Sequence, residues 1–296
     1  MNYLKYIVTI IIFSQLLSCT KSYTYDFDDI DKRIVLNSFF FPDSLMRFHI
    51  TEEASLSDDI TFDKYKTINS AQIVIYENEA IVDTAYYTEK GNYYSGIEPQ
   101  LNAKYKISVI APGYDKIIAE DQIPTIIKID SLGKIKNSDE SYNYKIKIIF
   151  DDPAEDNNYY FIYAYWKKYY NDLIYFKEAY IRTQDPAIGE WRTQSVQAPI
   201  FNDELFNGKR YELAIDLSVN DYREQPEYCY FELRSISKNM YLYLKSYNKQ
   251  TPKFGDDLME MFQQGMVEPI PIYSNINGGL GIFAGYAISR DSIYFE

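Results

Sequence analysis

Residues 105–119 read YKISVIAPGYDKIIA and contain the clearest strand pattern of the chain. Apolar and polar side chains alternate from Tyr105 to Val109, which is the period of a strand with one buried face. Pro112-Gly113 then forms a tight turn, because proline fixes φ and glycine accepts positive φ. A return strand follows near Ile117. The stretch therefore predicts two strands joined by a tight turn, the repeating unit of an all-β domain.

Segments of the same kind precede this stretch. They are Ile34–Leu36, Arg47–Thr51, Gln72–Tyr76 and Ile81–Tyr87. About seven short strands within about ninety residues, separated by turn signals, are typical of two packed sheets. We therefore predict an immunoglobulin-like or transthyretin-like β-sandwich over residues 32–124, with a domain boundary at Ile123-Pro124.

Residues 125–296 predict a second, β-rich C-terminal domain. Its expected strands are 126–129, 144–150, 159–166, 177–183, 211–217, 228–234, 282–289 and 292–295, with a polar loop at 133–143. A helix capped by Ser237 is expected, because apolar residues recur at helical spacing from Met240 to Tyr247. A second short helix is expected near 257–262. The fold class is thus mainly β, with one or two short helices.

The N-terminal residues predict a lipoprotein signal peptide over residues 1–18. The apolar run from Ile7 to Leu17 is about half of the roughly 20 residues that cross a bilayer as a helix. Leu16-Leu17-Ser18-Cys19 matches the lipobox, so we predict a lipid anchor of diacylglycerol and a further acyl chain, such as palmitate, on Cys19. The alternative is a short N-terminal membrane helix or a buried helix of a cytosolic protein. Residues 19–31 are polar and acidic and predict a flexible tether.

The acidic balance of the chain argues against binding of nucleic acid. The sequence holds 43 acidic and 30 basic residues, a formal net charge of −13. Such a domain repels phosphate backbones, and no basic run offsets the repulsion. Once Cys19 is lipidated, Cys229 is the remaining thiol, so no intrachain disulfide is expected. The apolar neighbours of Cys229 predict a buried, inert side chain.

The sequence offers little material for catalysis. His49 is the only histidine, so a zinc site with several histidines cannot be built, and no serine motif supports a catalytic triad. The glycines at 278–285 miss the spacing of a dinucleotide loop and instead predict close approach of two strands. The acidic residues at 151–158 lack the register of a calcium loop. We therefore expect no enzyme, no catalytic residues, no metal site and no cofactor.

An aromatic run at 159–176 is the most suggestive feature of the C-terminal domain. Residues 159–166 read YYFIYAYW, which predicts a strand buried on both faces. From 169 to 176 the aromatic residues mix with Lys and Asp, and both a core and a binding surface remain open. Aromatic faces stack on sugars, peptides and planar ligands. The candidate ligand contacts are Tyr169, Tyr170, Tyr175 and Trp191.

Further motifs follow the lipobox in order and cover nearly the whole mature chain. They are KRIVLN at 32–37, YKISVIAPGY at 105–114, IP at 123–124, FDDP at 150–153, NYY at 158–160, FNGK at 206–209 and SNINGGLGIF at 274–283. In series, these motifs resemble a family of Bacteroidota outer-membrane lipoproteins of unknown function, the domain of unknown function family 4249.

The resemblance implies an outer-membrane lipoprotein with an N-terminal β-sandwich and a second β-rich domain. Members of this family are often encoded next to TonB-dependent transporters, and the family has no established catalytic residues. One departure concerns surface export, which in this phylum tends to follow acidic residues directly after the cysteine. Here Thr20-Lys21-Ser22 come first, so the cell-surface face and the periplasmic face of the outer membrane both stay open.

These observations lead to a ranked set of functions. The leading hypothesis is a non-enzymatic, lipid-anchored binding or accessory subunit that works beside a TonB-dependent nutrient transporter. Its partners would be the membrane, the transporter, and an oligosaccharide, a peptide or another nutrient ligand. The first alternative is an adhesin or a structural lipoprotein of the envelope. The second is a hydrolase that acts through two carboxylates about 5–10 Å apart in a cleft.

Overall fold

The computed structural model describes residues 32–54, 65–136, 143–154, 157–170, 173–191, 199–218, 228–250 and 271–295. These residues are mainly β, as the alternating pattern predicts, and they fall in one unit. Cys19, the signal peptide and the tether lie outside the described residues, as does the helix predicted near 257–262. Within the described ranges, no helix combines the length and the apolar character needed to cross a bilayer.

Seven strands build the N-terminal part of the described fold. They are β1 (Ile34–Phe40), β2 (Arg47–Glu52), β3 (Gln72–Glu77), β4 (Ala80–Tyr87), β5 (Asn92–Tyr94), β6 (Lys104–Ile110) and β7 (Ile117–Gln122). The strands pair in the order β1-β2-β5-β4-β3-β6-β7. Buried side chains from both ends of this order, among them Phe40, Phe48, Ile75 and Tyr105, meet in one core. The predicted β-sandwich is confirmed, and β5, with three residues, was too short for a sequence period to reveal.

The C-terminal part adds one separate sheet and also extends the sheet of the N-terminal part. Its elements are β8 (Ser131–Lys136), β9 (Asn143–Asp151), β10 (Tyr159–Tyr170), β11 (Leu173–Glu178), β12 (Tyr180–Arg182), a 3₁₀ helix (Pro186–Trp191), β13 (Ile200–Asn202), β14 (Arg210–Ser218), β15 (Tyr228–Ile236), α1 (Lys238–Gln250) and β16 (Leu280–Tyr294). The separate sheet has the order β12-β14-β9-β8. The strands β11-β10-β15-β16 continue the N-terminal sheet, because β16 pairs with β1. Side chains of the separate sheet and of these strands face each other and form a second core, which includes Ile148, Ile162 and Phe231.

β16 takes part in both halves of the fold. Residues 280–285 pair in parallel with β1, and residues 286–294 pair in antiparallel with β15. Gly281 has a φ of 104°, and a Cβ atom there would stand 2.0 Å from the carbonyl oxygen of Leu36. The predicted close approach of two strands at this glycine cluster is therefore confirmed. The domain boundary at Pro124 stays a prediction, but the last strand returns to the core of the first part.

The segment at 126–129 is not a strand, contrary to the prediction. Its backbone N–H groups donate to side chains instead of to a neighbouring strand: Ile127 donates to Ser235 Oγ at 3.1 Å, and Ile129 donates to Ser289 Oγ at 2.8 Å. Two serine hydroxyls thus accept the hydrogen bonds that a neighbouring strand would otherwise accept. The sequence of residues 126–129 could not show this, because both serines lie elsewhere in the chain.

Two further boundaries differ from prediction. β8 begins at Ser131 and extends into the segment predicted as a polar loop, 133–143, because residues 131–136 pair with β9. The strands predicted at 282–289 and 292–295 are one continuous strand, because Arg290 and Asp291 keep the register with β15. In both places the strand continues through polar residues because it hydrogen-bonds to a neighbouring strand, which is β9 for β8 and β15 for β16.

The predicted helix is confirmed as α1. Ser237 caps its first turn, since Ser237 Oγ accepts a hydrogen bond from the Met240 backbone N–H at 3.2 Å. The apolar side of α1, formed by Met240, Tyr243 and Leu244, packs against Ile236 and residues of β16. The helix therefore covers part of the sheet that contains β10, β15 and β16.

Candidate binding surface

β10 presents two different faces, because side chains alternate along a strand. Tyr160, Ile162 and Trp166 enter the second core. Phe161 is buried on the opposite side of β10, whereas Tyr163 and Tyr165 on that side are only partly buried. The prediction of burial on both faces is thus wrong for the second half of the strand, where α1 no longer covers it.

We name this opposite side the outer face. It comprises Phe161, Tyr163 and Tyr165 of β10, Tyr230, Glu232 and Arg234 of β15, and Tyr286, Ile288 and Arg290 of β16. The antiparallel register places Tyr163, Glu232 and Arg290 side by side on three adjacent strands. Sequence positions that are far apart thereby become direct neighbours.

Arg234 lies against three aromatic rings of the outer face. Its guanidinium carbon is 4.7 Å from the ring centre of Tyr163, 5.1 Å from that of Phe161 and 5.4 Å from that of Tyr286. Contacts between a cation and an aromatic face contribute about 0.5–1 kcal/mol each at exposed sites, and more when water is excluded. Arg234 therefore links β10, β15 and β16 on this face of the sheet.

Glu232 joins Arg234 to Arg290. Its side chain is 3% exposed. One carboxylate oxygen accepts hydrogen bonds from Arg234 at 2.5 and 2.9 Å, and the other accepts from Arg290 at 2.5 and 2.9 Å. The hydrogen bond to Glu232 raises the pKa of Arg290. A buried carboxylate requires such pairing, so this group is a fixed ionic triad.

Toward β11 the outer face continues as a row of aromatic rings. Tyr165 stacks on Tyr230 with ring centres 5.3 Å apart and planes at 10°, and Phe176 meets Tyr165 edge-on at 5.5 Å. Tyr163 donates a hydrogen bond to Glu178 Oε1 at 3.0 Å. Burial, together with this hydrogen bond, raises the pKa of Tyr163 to about 12, so its hydroxyl stays protonated at neutral pH. Such rings can stack on a sugar or on a planar peptide group.

β11 is the edge strand of this sheet, and its apolar side chains are exposed. Leu173 is 70% exposed, Ile174 53%, Tyr175 39% and Phe176 64%. No described strand lies beyond β11 in the order of the sheet. An edge of this kind offers backbone hydrogen-bonding groups to another chain. We name Leu173–Phe176 the apolar edge.

Other edge strands of the described fold carry charge. Lys134 of β8 and Glu120 of β7 are exposed charged residues. Charges along an edge discourage pairing with a second chain. The apolar edge has no such protection until Lys177 and Glu178 at its end. This contrast singles out β11 as a surface suited to contact.

The structure brings some of the predicted ligand contacts together. Tyr169 and Tyr170 end β10, where they pair with Ile174 and Leu173 of β11, so both lie in the same hairpin as Tyr175. Trp191 ends the 3₁₀ helix, which contacts β13. Because β13 pairs with the start of β10, Trp191 belongs to an element at the other end of that strand. Only Tyr175 has a described side chain, and ligand contact by all four stays a prediction.

The sequence patterns did not predict a role for Glu232, Arg234 or Arg290. A signal was present for two of them, since residues 228–234 read YCYFELR and every second residue of this strand shares a face. A charged pair that alternates with apolar residues on a predicted strand marks a partly covered surface. The part played by Arg290 could not be read, because it depends on the register between β15 and β16.

Two residues weighed for chemistry are placed as predicted. His49 is half-buried on β2, and Cys229 is fully buried, with a pKa raised by burial. Among the residues with described positions, no group of three His, Cys, Asp or Glu side chains is arranged to hold a metal ion. The outer face and the apolar edge therefore offer stacking, ionic and strand-pairing contacts, which are the means of recognition.

Comparisons with known proteins give a family and distant structural likenesses. A family model described as domain of unknown function (DUF4249) matches residues 20–292. No curated protein matches the chain. The collagen-binding domain of Erysipelothrix rhusiopathiae surface protein RspB is 9% identical, with 88% of this chain and 97% of that chain covered and a TM-score of 0.23. The collagen adhesin of S. aureus is 6% identical, with 89% and 93% covered and a TM-score of 0.21. Scores this low carry no argument about ligand or function.

Proposed function

The chain belongs to the DUF4249 family, whose description names no function, and we propose from its own features that it is a lipid-anchored, non-enzymatic binding or accessory subunit. It works beside a TonB-dependent nutrient transporter in the outer membrane. The apolar edge is the observation that carries this proposal, because it is suited to contact with a partner protein.

The apolar edge combines two properties of protein interfaces. Single exposed apolar residues are common on protein surfaces, but four in succession on one strand are not. The strand also borders a sheet, so a partner can add a strand and hydrogen-bond the backbone while its side chains cover Leu173 to Phe176. Aromatic anchors of this kind dominate binding energy at interfaces.

The lipobox supports a location beside a membrane transporter. A lipid on Cys19 would hold the protein and a membrane-embedded partner in the same membrane. Confinement raises the effective concentration of the two proteins, so a modest interface is enough for association. The row of rings on the outer face, with Tyr165 and Tyr230 at its centre, would then offer an oligosaccharide or peptide a stacking surface near the transporter.

Co-purification tests the proposal. The full-length lipoprotein would be isolated from detergent-solubilised outer membranes of its native host, and bound proteins would be identified by mass spectrometry. We expect a TonB-dependent barrel to be recovered with the unaltered protein. The double variant Ile174→Asp/Phe176→Asp places charges on the apolar edge, and we expect it to lower barrel recovery at least about tenfold, as the loss of an interface anchor does.

The control is Ile81→Asp on β4, because Ile81 is an exposed apolar residue of the N-terminal sheet and is 66% exposed. We expect this variant to recover the barrel as the unaltered protein does. Recovery of no barrel with the unaltered lipoprotein would reject the accessory role and favour the adhesin alternative. Equal recovery with the double variant would reject the apolar edge as the contact.

A further inference from the structure

A cleft of about 320 Å³ opens beside β16, just past the point where this strand leaves β1. Its walls come from the β1–β2 turn, the segment that precedes β6, the segment that follows β7, and β16. The lining residues are Phe41, Pro42, Asp43, Leu101, Ile126, Ala287, Ile288 and Arg290. Pockets for small ligands span about 300–1,000 Å³, so this cleft has room for a small molecule. Two of its lining residues are charged, and they have opposite signs.

One edge of β16 is open along this cleft. β1 ends at Phe40, which pairs with Gly285. Beyond Gly285, β15 is the one strand within the described ranges that pairs with β16, and it occupies the opposite edge. An open strand edge can hydrogen-bond an extended peptide backbone. Ala287 is buried, whereas Ile288 and Ser289 are half-buried and Arg290 is exposed, so the cleft presents peptide-binding groups at Ile288–Arg290 next to an apolar wall.

Asp43 supplies a negative charge at the turn side of the cleft. It lies in the turn after Pro42 and has a φ of 64°, a left-handed conformation that aspartate tolerates better than most residues. Its side chain is exposed, and it makes no ion pair or side-chain hydrogen bond with any described residue. The carboxylate is thus free to accept hydrogen bonds from an ammonium group.

Arg290 supplies a positive charge at the β16 side. Its Nε and one terminal nitrogen donate to Glu232, which fixes the guanidinium plane. The other terminal nitrogen makes no hydrogen bond to a described residue, and the side chain is 52% exposed. A fixed guanidinium loses little freedom when it binds a carboxylate, because Glu232 already holds its plane in place.

We propose that this cleft binds a dipeptide or a peptide of similar size. Its amino terminus lies at Asp43, its carboxylate lies at Arg290, and an apolar side chain packs on Phe41 and Ile288. The charges of the cleft match a zwitterion, and the open edge of β16 matches its backbone. The site is separate from the apolar edge, since β10 and β15 lie between β11 and β16 in the sheet.

Isothermal titration of the full-length lipoprotein in detergent tests this site. The probes are the dipeptide Ala-Leu, its N-acetyl form and its C-terminal amide. We expect Ala-Leu to bind and each blocked form to bind about tenfold more weakly, which corresponds to about 1.4 kcal/mol per lost charge contact.

The variant Asp43→Asn tests recognition of the amino terminus of the probe separately from recognition of its carboxylate. We expect it to weaken Ala-Leu about tenfold and to leave the affinity for the N-acetyl form unchanged, because that form has no ammonium group. The matched control is Asp115→Asn, an exposed aspartate in the β6–β7 turn outside the cleft lining. It should bind all three probes as the unaltered protein does.

Two results would overturn the proposal. One is the absence of heat at two temperatures with Ala-Leu at concentrations up to about 10 mM, which corresponds to less than about 3 kcal/mol of binding. The other is equal weakening of all three probes by Asp43→Asn. Because neither result involves a barrel protein, failure here is distinguishable from failure of the accessory role.

Discussion

Glu232 is the residue on which the outer face depends most. Its buried carboxylate accepts hydrogen bonds from Arg234 and Arg290, so replacing it leaves two guanidinium groups facing each other without a counter-charge. Breaking a buried ion pair by removing one partner costs about 3–5 kcal/mol. We expect Glu232→Gln to lower the free energy of unfolding by that order, as measured by urea denaturation.

Glu178→Gln is the appropriate comparison for that variant. Glu178 is exposed and accepts a hydrogen bond from Tyr163, which an amide oxygen can also accept. Substitutions of this kind on the surface usually stay within about 0.5 kcal/mol. An equal loss in the free energy of unfolding for both variants would contradict the prediction that the ionic triad stabilises the fold more than a surface hydrogen bond does.

Asp121 is a half-buried carboxylate that connects three parts of the chain. Asp121 Oδ2 accepts hydrogen bonds from the hydroxyl of Ser237 at 2.5 Å and from the backbone N–H of Gly285 at 3.0 Å. Burial raises the pKa of Asp121 from 3.8 to about 6, although these hydrogen bonds act in the opposite direction. The folded protein therefore holds a proton on Asp121 more tightly than the unfolded chain does.

This raised pKa predicts a pH dependence of stability. Asp121 contributes most below pH 3.8, and its contribution falls as pH rises through about 6, where the folded protein must bury a charge. The difference between the two pKa values corresponds to about 3 kcal/mol. We expect Asp121→Asn to lack this decrease, so its stability relative to the unaltered protein should rise between pH 4 and pH 6.

Glu52 is expected to show the opposite pH dependence, because its pKa is lowered in the folded protein. Burial acts to raise the pKa of Glu52, but hydrogen bonds from Lys32 and Lys66 outweigh it and lower the pKa from 4.5 to about 2. The contribution of Glu52 to stability is present above pH 4.5 and is lost as pH falls through about 2.

The prediction for Asp121 would be contradicted by a constant difference in the free energy of unfolding between Asp121→Asn and the unaltered protein across pH 4 to 6. Such a result would show that Asp121 does not titrate there.

At the scale of elements, β16 depends on its glycines. Gly281 has a φ of 104°, and a Cβ atom there would stand 2.0 Å from Leu36 O, within the pairing of β1 and β16. We expect Gly281→Ala to lower the free energy of unfolding by more than about 3 kcal/mol, because the two strands must separate. Chemical denaturation with fluorescence detection measures this loss.

The variant Gly113→Ala is the control that separates the cost of a positive φ from the cost of the steric clash expected at Gly281. The φ of Gly113 is 84°, but no atom lies within 4 Å of the position of an added Cβ atom. Gly113→Ala should therefore cost only the strain of a positive φ, about 1 kcal/mol. Similar losses for the two variants would mean that β1 and β16 adapt to the added methyl group.

The strands with clear alternation were predictable, and those defined by pairing were not. β3, β6 and α1 follow the periods expected of them, since each buries one face of its own sequence. The segment at 126–129 has a strand-like sequence, but its N–H groups bond to two serine side chains instead. β8, in contrast, is polar and is a strand only because β9 offers it partners.

At the scale of the whole molecule, β16 makes the two halves interdependent. The core of the N-terminal part includes Phe283 and Ala287, although these residues lie at the end of the chain. An N-terminal fragment that stopped at the predicted boundary after Pro124 would lack them. The cleft beside Asp43 and Arg290 arises from the same crossing, because β1 and β15 pair with different lengths of β16.

The β class, the two sets of strands, the capped helix and the burial of Cys229 were all predictable from the amino-acid sequence. These follow from local patterns, since alternation, turn residues and capping residues act over a few neighbours. The sequence also indicated the aromatic run, but not which of its rings are core. Only the tertiary structure decided that Tyr160 is buried while Phe176 is exposed at a sheet edge, and that Glu232 lies between two arginines. The physical reason is that exposure and ion pairing depend on strand order and register, which join residues far apart in the chain.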